Sequence, residues 1–314
     1  MRIVSLLPSL TEIVWALGLA DELVAVTHEC DYPPAVRSKP RITRSLVPPG
    51  LDHAAIDTAV RERVAAGLPL YELDLQALRT LAPDLILTQD LCPVCAVSVE
   101  DVCRIAATLP RPPRVVSVQP MRLSEILASI EAVGEATGRP ATARALVAAL
   151  GQRLDWVRQR LSGADTRPRV VCLEWLAPPI VAGHWVPDMV ELAGGVDALG
   201  VAGQPSYTVT WEQVAAAAPD VLVVMPCGYD LAGSRELGQR YLSDPALQEI
   251  PAVARDRVWA VDASSYFSRP GPRVVHGVEI LAALLHPERC MTDTSALAAP
   301  VAVAASHVRY EPAG

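Results

Sequence analysis

Short apolar runs alternate with longer stretches of helical period along most of this chain, and that alternation admits few folds. A run at residues 3–7 precedes Ser9-Leu10-Thr11-Glu12, the spacing of a capping box, and an apolar helix that ends at Gly18. The order then returns, with a strand at 23–27, helices at 52–66 and 74–81, a strand at 85–88, a helix at 98–109 and a strand at 115–118. Strands separated by helices pair in parallel, because only a crossover of that length brings the chain back to the same edge. Residues 123–161 are rich in Ala, Leu, Glu and Arg and read as helix, broken only at Gly138-Arg139-Pro140. After Pro168 a second set begins, with strands at 169–174, 220–225 and 258–261 and a last helix at 273–285. The expected fold is therefore α/β, with two Rossmann-like lobes of mostly parallel sheet joined by a long connector helix. The expected boundaries are 1–120 for the first lobe, 121–163 for the connector and 164–289 for the second lobe. Residues 290–314 show no period and are expected as a disordered tail.

A weak internal repeat fits two related lobes: Leu81-Ala82-Pro83-Asp84-Leu85-Ile86-Leu87 resembles Ala218-Pro219-Asp220-Val221-Leu222-Val223, and a Cys follows each, at 92 and 227. The length of 314 residues also exceeds one average domain. A net charge of −8 and a pI near 5.3 speak against nucleic-acid partners, whose phosphates are met by Lys and Arg. No apolar run reaches the roughly 20 residues of a membrane span. The opening residues lack the parts of a secretory signal, so the expected location is the cytoplasm, or the periplasm or exterior if the start has been trimmed. Seven Cys, an odd and scattered set, suit a reducing compartment.

In open parallel sheets ligands bind beyond the carboxyl ends of the strands, so the loops there carry the candidate site. They hold His28, Glu29, Cys30, Asp31 and Tyr32 after one strand, Gln89, Asp90, Cys92 and Cys95 after another, and Glu174 with Trp175 after a third. The second half adds His184, Trp185, Cys227, Tyr229, Tyr266, Phe267 and Arg269, and all these loops are expected to face a shared cleft. Phe267 is the only Phe of the chain. Broad aromatic side chains there suit stacking on a wide apolar ligand, with Arg269 as the contact for an anion, or else they pack the lobes. Cys92-Pro93-Val94-Cys95 has three readings: a redox pair, a soft-metal site for Zn joined by Cys30 or His28, or two small packing residues. His28 and His184 are candidate ligands for a metal or a metal-bearing cofactor, or hydrogen-bonded packing residues. None of the sequence fingerprints GxSxG, HExxH, P-loop or GxGxxG is present.

Taken together, the opening Arg2-Ile3-Val4-Ser5-Leu6-Leu7-Pro8-Ser9-Leu10-Thr11-Glu12-Ile13, the Leu81–Leu87 segment, Met189-Val190-Glu191-Leu192-Ala193-Gly194-Gly195 and the Ala218–Val223 segment resemble a known family over about residues 1–287. It is the iron-siderophore and vitamin B12 substrate-binding proteins of ABC transporters, with the cobalamin-binding branch the most similar. The resemblance implies a class III periplasmic-binding-protein fold that holds cobalamin, a related corrinoid or a similar metal-tetrapyrrole without catalysis. On that reading Trp175, Trp185, Tyr229, Tyr266 and Phe267 wall the ligand, His28, His184 or Cys92 ligates its metal, and an ABC permease is the partner. The alternatives are a cytoplasmic enzyme with Glu29, Asp90, Glu174 or His184 as acid/base groups around a Cys-bound metal, and a metal or haem carrier.

Overall fold

In a computed structural model of the chain, residues 1–89, 97–290 and 297–302 are described. They fall into two compact units: Met1–Arg153 with Arg269–Val275, and Leu154–Ser268 with His276 onward.

Among the described residues the first unit has six strands: β1 Ile3–Ser5, β2 Leu23–Ala25, β3 Thr43–Ser45, β4 Tyr71–Leu73, β5 Leu85–Gln89 and β6 Arg114–Val118. Four of them make an all-parallel sheet in the order β2-β1-β5-β6, with Ile3 opposite both Leu23 and Leu85. The pair β3 and β4 forms a separate antiparallel ribbon. Val4, Ala25 and Ile86 of the sheet bury against Leu78, Val102 and Ala106 of the covering helices, the arrangement that apolar strands flanked by amphipathic helices require. The first helix runs Pro8–Ala16 and is not capped as the sequence suggests. Leu7 is the extended N-cap residue, Pro8 occupies the first turn, and Ser9 lies buried inside it. Proline suits that position because it has no N–H to leave unsatisfied and its φ is already helical. Glu12 is thus free to reach elsewhere.

The second unit contains β7 Arg169–Leu176, β8 Pro179–Val181, β9 Val196–Asp197, β10 Tyr207–Thr208, β11 Val221–Val224, β12 Val258–Val261 and β13 Ala298–Pro300. Their order is β10-β8-β7-β11-β12-β13, with β9 beside β7. The central pairs β7–β11 and β11–β12 are parallel, as expected, whereas β8, β10 and β13 add antiparallel edges. β13 lies within the segment expected as tail, and it pairs Ala298 with Val261 and Pro300 with Trp259. Its Ala-Ala-Pro sequence has no strand period, and Pro300 is tolerated because β13 is an edge strand.

Two helices occupy the range expected for the connector. Helix Leu123–Ala136 belongs to the first unit, and helix Pro140–Leu161 passes from the first unit into the second after Arg153. The chain enters the first unit again at Arg269–Val275, a strap inside the range expected for the second lobe. Among the described residues no helix is long and apolar enough to cross a membrane.

The internal repeat has a structural basis. In the first unit Arg2, just before β1, donates its main-chain N–H to Asp84 Oδ2 at 2.7 Å and its side-chain Nε to the Leu81 carbonyl at 2.6 Å. In the second, Arg169 at the start of β7 donates its main-chain N–H to Asp220 Oδ2 at 2.9 Å and its guanidinium to the Ala217 carbonyl at 3.1 and 2.8 Å. Ala82 and Ala218, with φ of 41° and 46°, turn the chain at the same point of each latch. The Ala-Pro-Asp sequence is therefore a latch that ties the end of a helix to the starts of two neighbouring strands.

Candidate functional site

In the first unit the loop after β2 carries His28 to Tyr32, and the structure pins it from several directions. His28 hydrogen-bonds Thr43 Oγ1 twice, by its main-chain N–H at 3.1 Å and by ring Nδ1 at 2.8 Å. Arg41 donates to the carbonyls of His28 and Cys30. Partial burial holds the His28 pKa below its ordinary value, with Glu29 opposing and Arg41 reinforcing the shift, so the imidazole is neutral near pH 7. Its ring lies 5.6 Å from that of Tyr71.

The strap closes on this loop. Arg269 donates to Asp31 Oδ1 at 2.5 Å and to the Glu29 carbonyl at 3.1 Å, and it stands 3.7 Å from Glu12. Arg273 donates to both oxygens of Glu12, at 2.8 and 2.6 Å, and its guanidinium lies 4.1 Å from the centre of the Tyr32 ring. Burial holds the Glu12 carboxyl above its ordinary value, with Arg273 and Arg269 opposing the shift and Asp31 adding to it. Arg269 is thus engaged by two carboxylates and a carbonyl. Sequence reasoning missed Glu12 and Arg273. The available signal was a Glu on an otherwise apolar helix, since a buried carboxylate requires a partner.

Cys30 lies in the same loop. Its thiol is buried, hydrogen-bonds Thr11 and Thr27 hydroxyls at 3.2 and 3.1 Å, and is pushed up by burial, all of which suit a packed thiol rather than a metal ligand. Asp90, Cys92 and Cys95 lie outside the described residues. Among the described residues no group of three or more His, Cys, Asp or Glu is placed to hold a metal. Gln89 ends β5 as a buried side chain whose Oε1 has no hydrogen-bond partner among the described residues.

In the second unit Trp175, near the end of β7, donates to the Ala177 carbonyl at 3.2 Å and meets the Tyr229 ring edge to face at 6.2 Å. Cys227 follows β11 exposed, and its N–H binds the Glu174 carbonyl at 3.1 Å, which joins the two loops. His184 has a left-handed backbone, φ 52°, fixed by bonds of its N–H to Gln204 and of its carbonyl from Gly203. Gly183 beside it is required: a Cβ there would lie 2.4 Å from the Gln204 carbonyl oxygen. Burial lowers the His184 pKa, so this ring too is neutral near pH 7. Its ring is 5.7 Å from that of Trp185.

Of the two readings of the strand-end aromatics, packing describes Trp185 and Phe267. Trp185 is 5% exposed and donates its indole N–H to the Phe267 carbonyl at 2.8 Å, and Phe267 itself is 2% exposed. They pack where Gly277 lets a helix approach closely, since a Cβ at that glycine would sit 2.5 Å from the Tyr266 carbonyl oxygen. Tyr266 stays half-buried, edge-on to the His276 ring at 5.9 Å. The partly exposed aromatics at strand ends are therefore Tyr32, Trp175, Tyr229 and Tyr266.

Known proteins share this architecture. The family described as "Periplasmic binding protein" matches residues 3–264. The chain is 27% identical over 292 residues to the vitamin B12-binding protein of Vibrio cholerae serotype O1, covering 88% of this chain and 86% of that one. It is 26% identical over 292 residues to an uncharacterized ABC transporter substrate-binding lipoprotein of Bacillus subtilis, covering 91% and 80%. Among solved structures, the periplasmic heme-binding protein of Roseiflexus sp. RS-1 in its apo form superposes with a TM-score of 0.68 and 25% identity, over 91% of this chain and 98% of that one.

Proposed function

Because the chain belongs to the periplasmic binding protein family, we propose that it is a substrate-binding protein for a cobalamin or a related metal-tetrapyrrole, held by the strand-end loops of its units. The observation that carries this reading is the set of partly exposed aromatics, Tyr32, Trp175, Tyr229 and Tyr266, at the positions where open parallel sheets bind ligands. The names of the similar proteins, a vitamin B12-binding protein and a heme-binding protein, support a flat macrocycle as cargo. Both half-buried imidazoles, His28 and His184, are neutral near pH 7 and so retain a lone pair to offer a metal centre. Binding rather than chemistry is the proposed activity, with Glu29 and Glu174 as polar lining and not as acid/base groups. An ABC permease is the proposed partner. The lipoprotein and periplasmic relatives favour a place outside the cytoplasm, against the expectation drawn from the opening residues.

The test is a visible-absorbance titration of the full chain with hydroxocobalamin and, separately, with haemin. The expected result is a saturable spectral change at micromolar protein with one of the two. A protein that alters neither spectrum and co-elutes with neither contradicts the proposal.

A further inference from the structure

Resting on that binding reading, we propose that Glu12 and Arg273 are positioning residues that hold the Tyr32 ring as a preset stacking platform for a flat ligand. The guanidinium of Arg273 lies 4.1 Å from the centre of the ring, the separation of a close cation–π contact. Arg273 does not drift like an ordinary surface cation. Its Nε and one terminal nitrogen are bonded to the two Glu12 oxygens at 2.8 and 2.6 Å, and the two side chains are 12% and 4% exposed. Salt screens such a pair weakly, and the fork geometry fixes the plane of the guanidinium. Glu12 in turn is anchored on helix Pro8–Ala16, which is buried along most of its length.

Tyr32 remains 45% exposed although the guanidinium covers part of it, so much of the ring is open to a ligand. A ring already held in place loses less freedom on binding than one that must be ordered by the ligand. The cation also draws on the ring's negative quadrupole, which disfavours a second cation stacked on the same ring and favours an electron-rich, neutral or anionic macrocycle. A second cation–π pair, Arg160 over Trp156 at 5.2 Å, provides the contrast. Those residues sit one turn apart on one helix, and Trp156 is exposed there, so the pair carries no comparable anchor in the strand-end loops.

The experiment is a double-mutant cycle on the full chain, read as Kd for whichever of hydroxocobalamin and haemin the wild type binds, with thermal melting to confirm folding. Arg273→Lys keeps a cation for Glu12 but removes the planar group. Arg273→Met combined with Glu12→Leu removes both buried charges together, which leaves no unpaired carboxylate and keeps a folded protein available if the first variant melts early. Each should bind about tenfold more weakly, as should Tyr32→Leu alone. Adding Tyr32→Leu to either background should cost less than about twofold more, since the platform is already lost. Trp156→Leu should bind like the wild type. Wild-type affinity in Arg273→Lys, or a full tenfold loss from Tyr32→Leu in the altered backgrounds, overturns the positioning role alone. A wild type that binds neither macrocycle overturns the binding reading and this inference with it.

Discussion

The two units are alike where their sheets begin and unlike where their sheets end. At the starts, Arg2 with Asp84 and Arg169 with Asp220 make the same latch, down to a left-handed alanine ahead of the Pro-Asp step. At the ends, the first unit gathers charge, with Glu12, Asp31, Arg269 and Arg273 in one balanced cluster, whereas the second gathers rings, with Trp175 against Tyr229 and Trp185 against Phe267. A repeated unit must preserve whatever closes its sheet, because an unsatisfied strand start would cost stability in each copy. The strand ends are free of that constraint, and they are where we propose that the ligand is met.

The treatment of buried carboxylates differs in the same way. Glu12 of the first unit has two guanidiniums, but Asp197 of the second accepts only the N–H groups of Leu199 and Gly200, at 3.1 and 2.6 Å, and its Oδ2 has no hydrogen-bond partner among the described residues. Burial pushes the Asp197 carboxyl up to about 6. The sign follows: the folded state holds a proton that the unfolded state releases above about 4, so this contribution is complete below about pH 4 and is lost as pH rises through about 6. Asp197→Asn keeps an acceptor without the charge. Relative to the wild type it should therefore gain stability between pH 4.5 and 7.5, by about 2 kcal/mol, in urea unfolding at each pH. A difference that does not vary with pH would show that the second unit compensates the charge of this carboxylate after all.

A smaller effect sharpens the likeness. Asp84→Ala and Asp220→Ala each remove one latch acceptor at a partly exposed site, and each should cost about 1 kcal/mol in the same unfolding measurement. Equal losses are the expected outcome. A loss confined to one variant would mean that the shared Ala-Pro-Asp sequence does different work in the two units.

Much of this was legible in the sequence, for identifiable reasons. The run at 85–87 and that at 221–223 are buried on both faces, so they stand out as continuous apolar strands, and the break at Gly138-Arg139-Pro140 divides two helices where a helix cannot continue. The capping-box reading at Ser9 failed because Pro8 claims the first turn, and local spacing does not say which of two start signals prevails. For Trp185 and Phe267 the sequence leaves two readings open, because an aromatic in a strand-end loop serves equally well as wall or as core, and only tertiary packing decides. The pairing of Glu12 with Arg273 spans 261 residues, so no local pattern encodes it. β13 was hidden because alanines and a proline carry no alternation, and its pairing comes from the neighbouring β12.

Hydrogen exchange of the full chain, with and without hydroxocobalamin or haemin at saturating concentration, would show whether a macrocycle settles on the strand-end loops. The account predicts slowed exchange at residues 28–32, 174–185, 227–229 and 264–269, with the latch segments around Asp84 and Asp220 unchanged. No protection with either macrocycle, or protection confined to surfaces away from those loops, would contradict it.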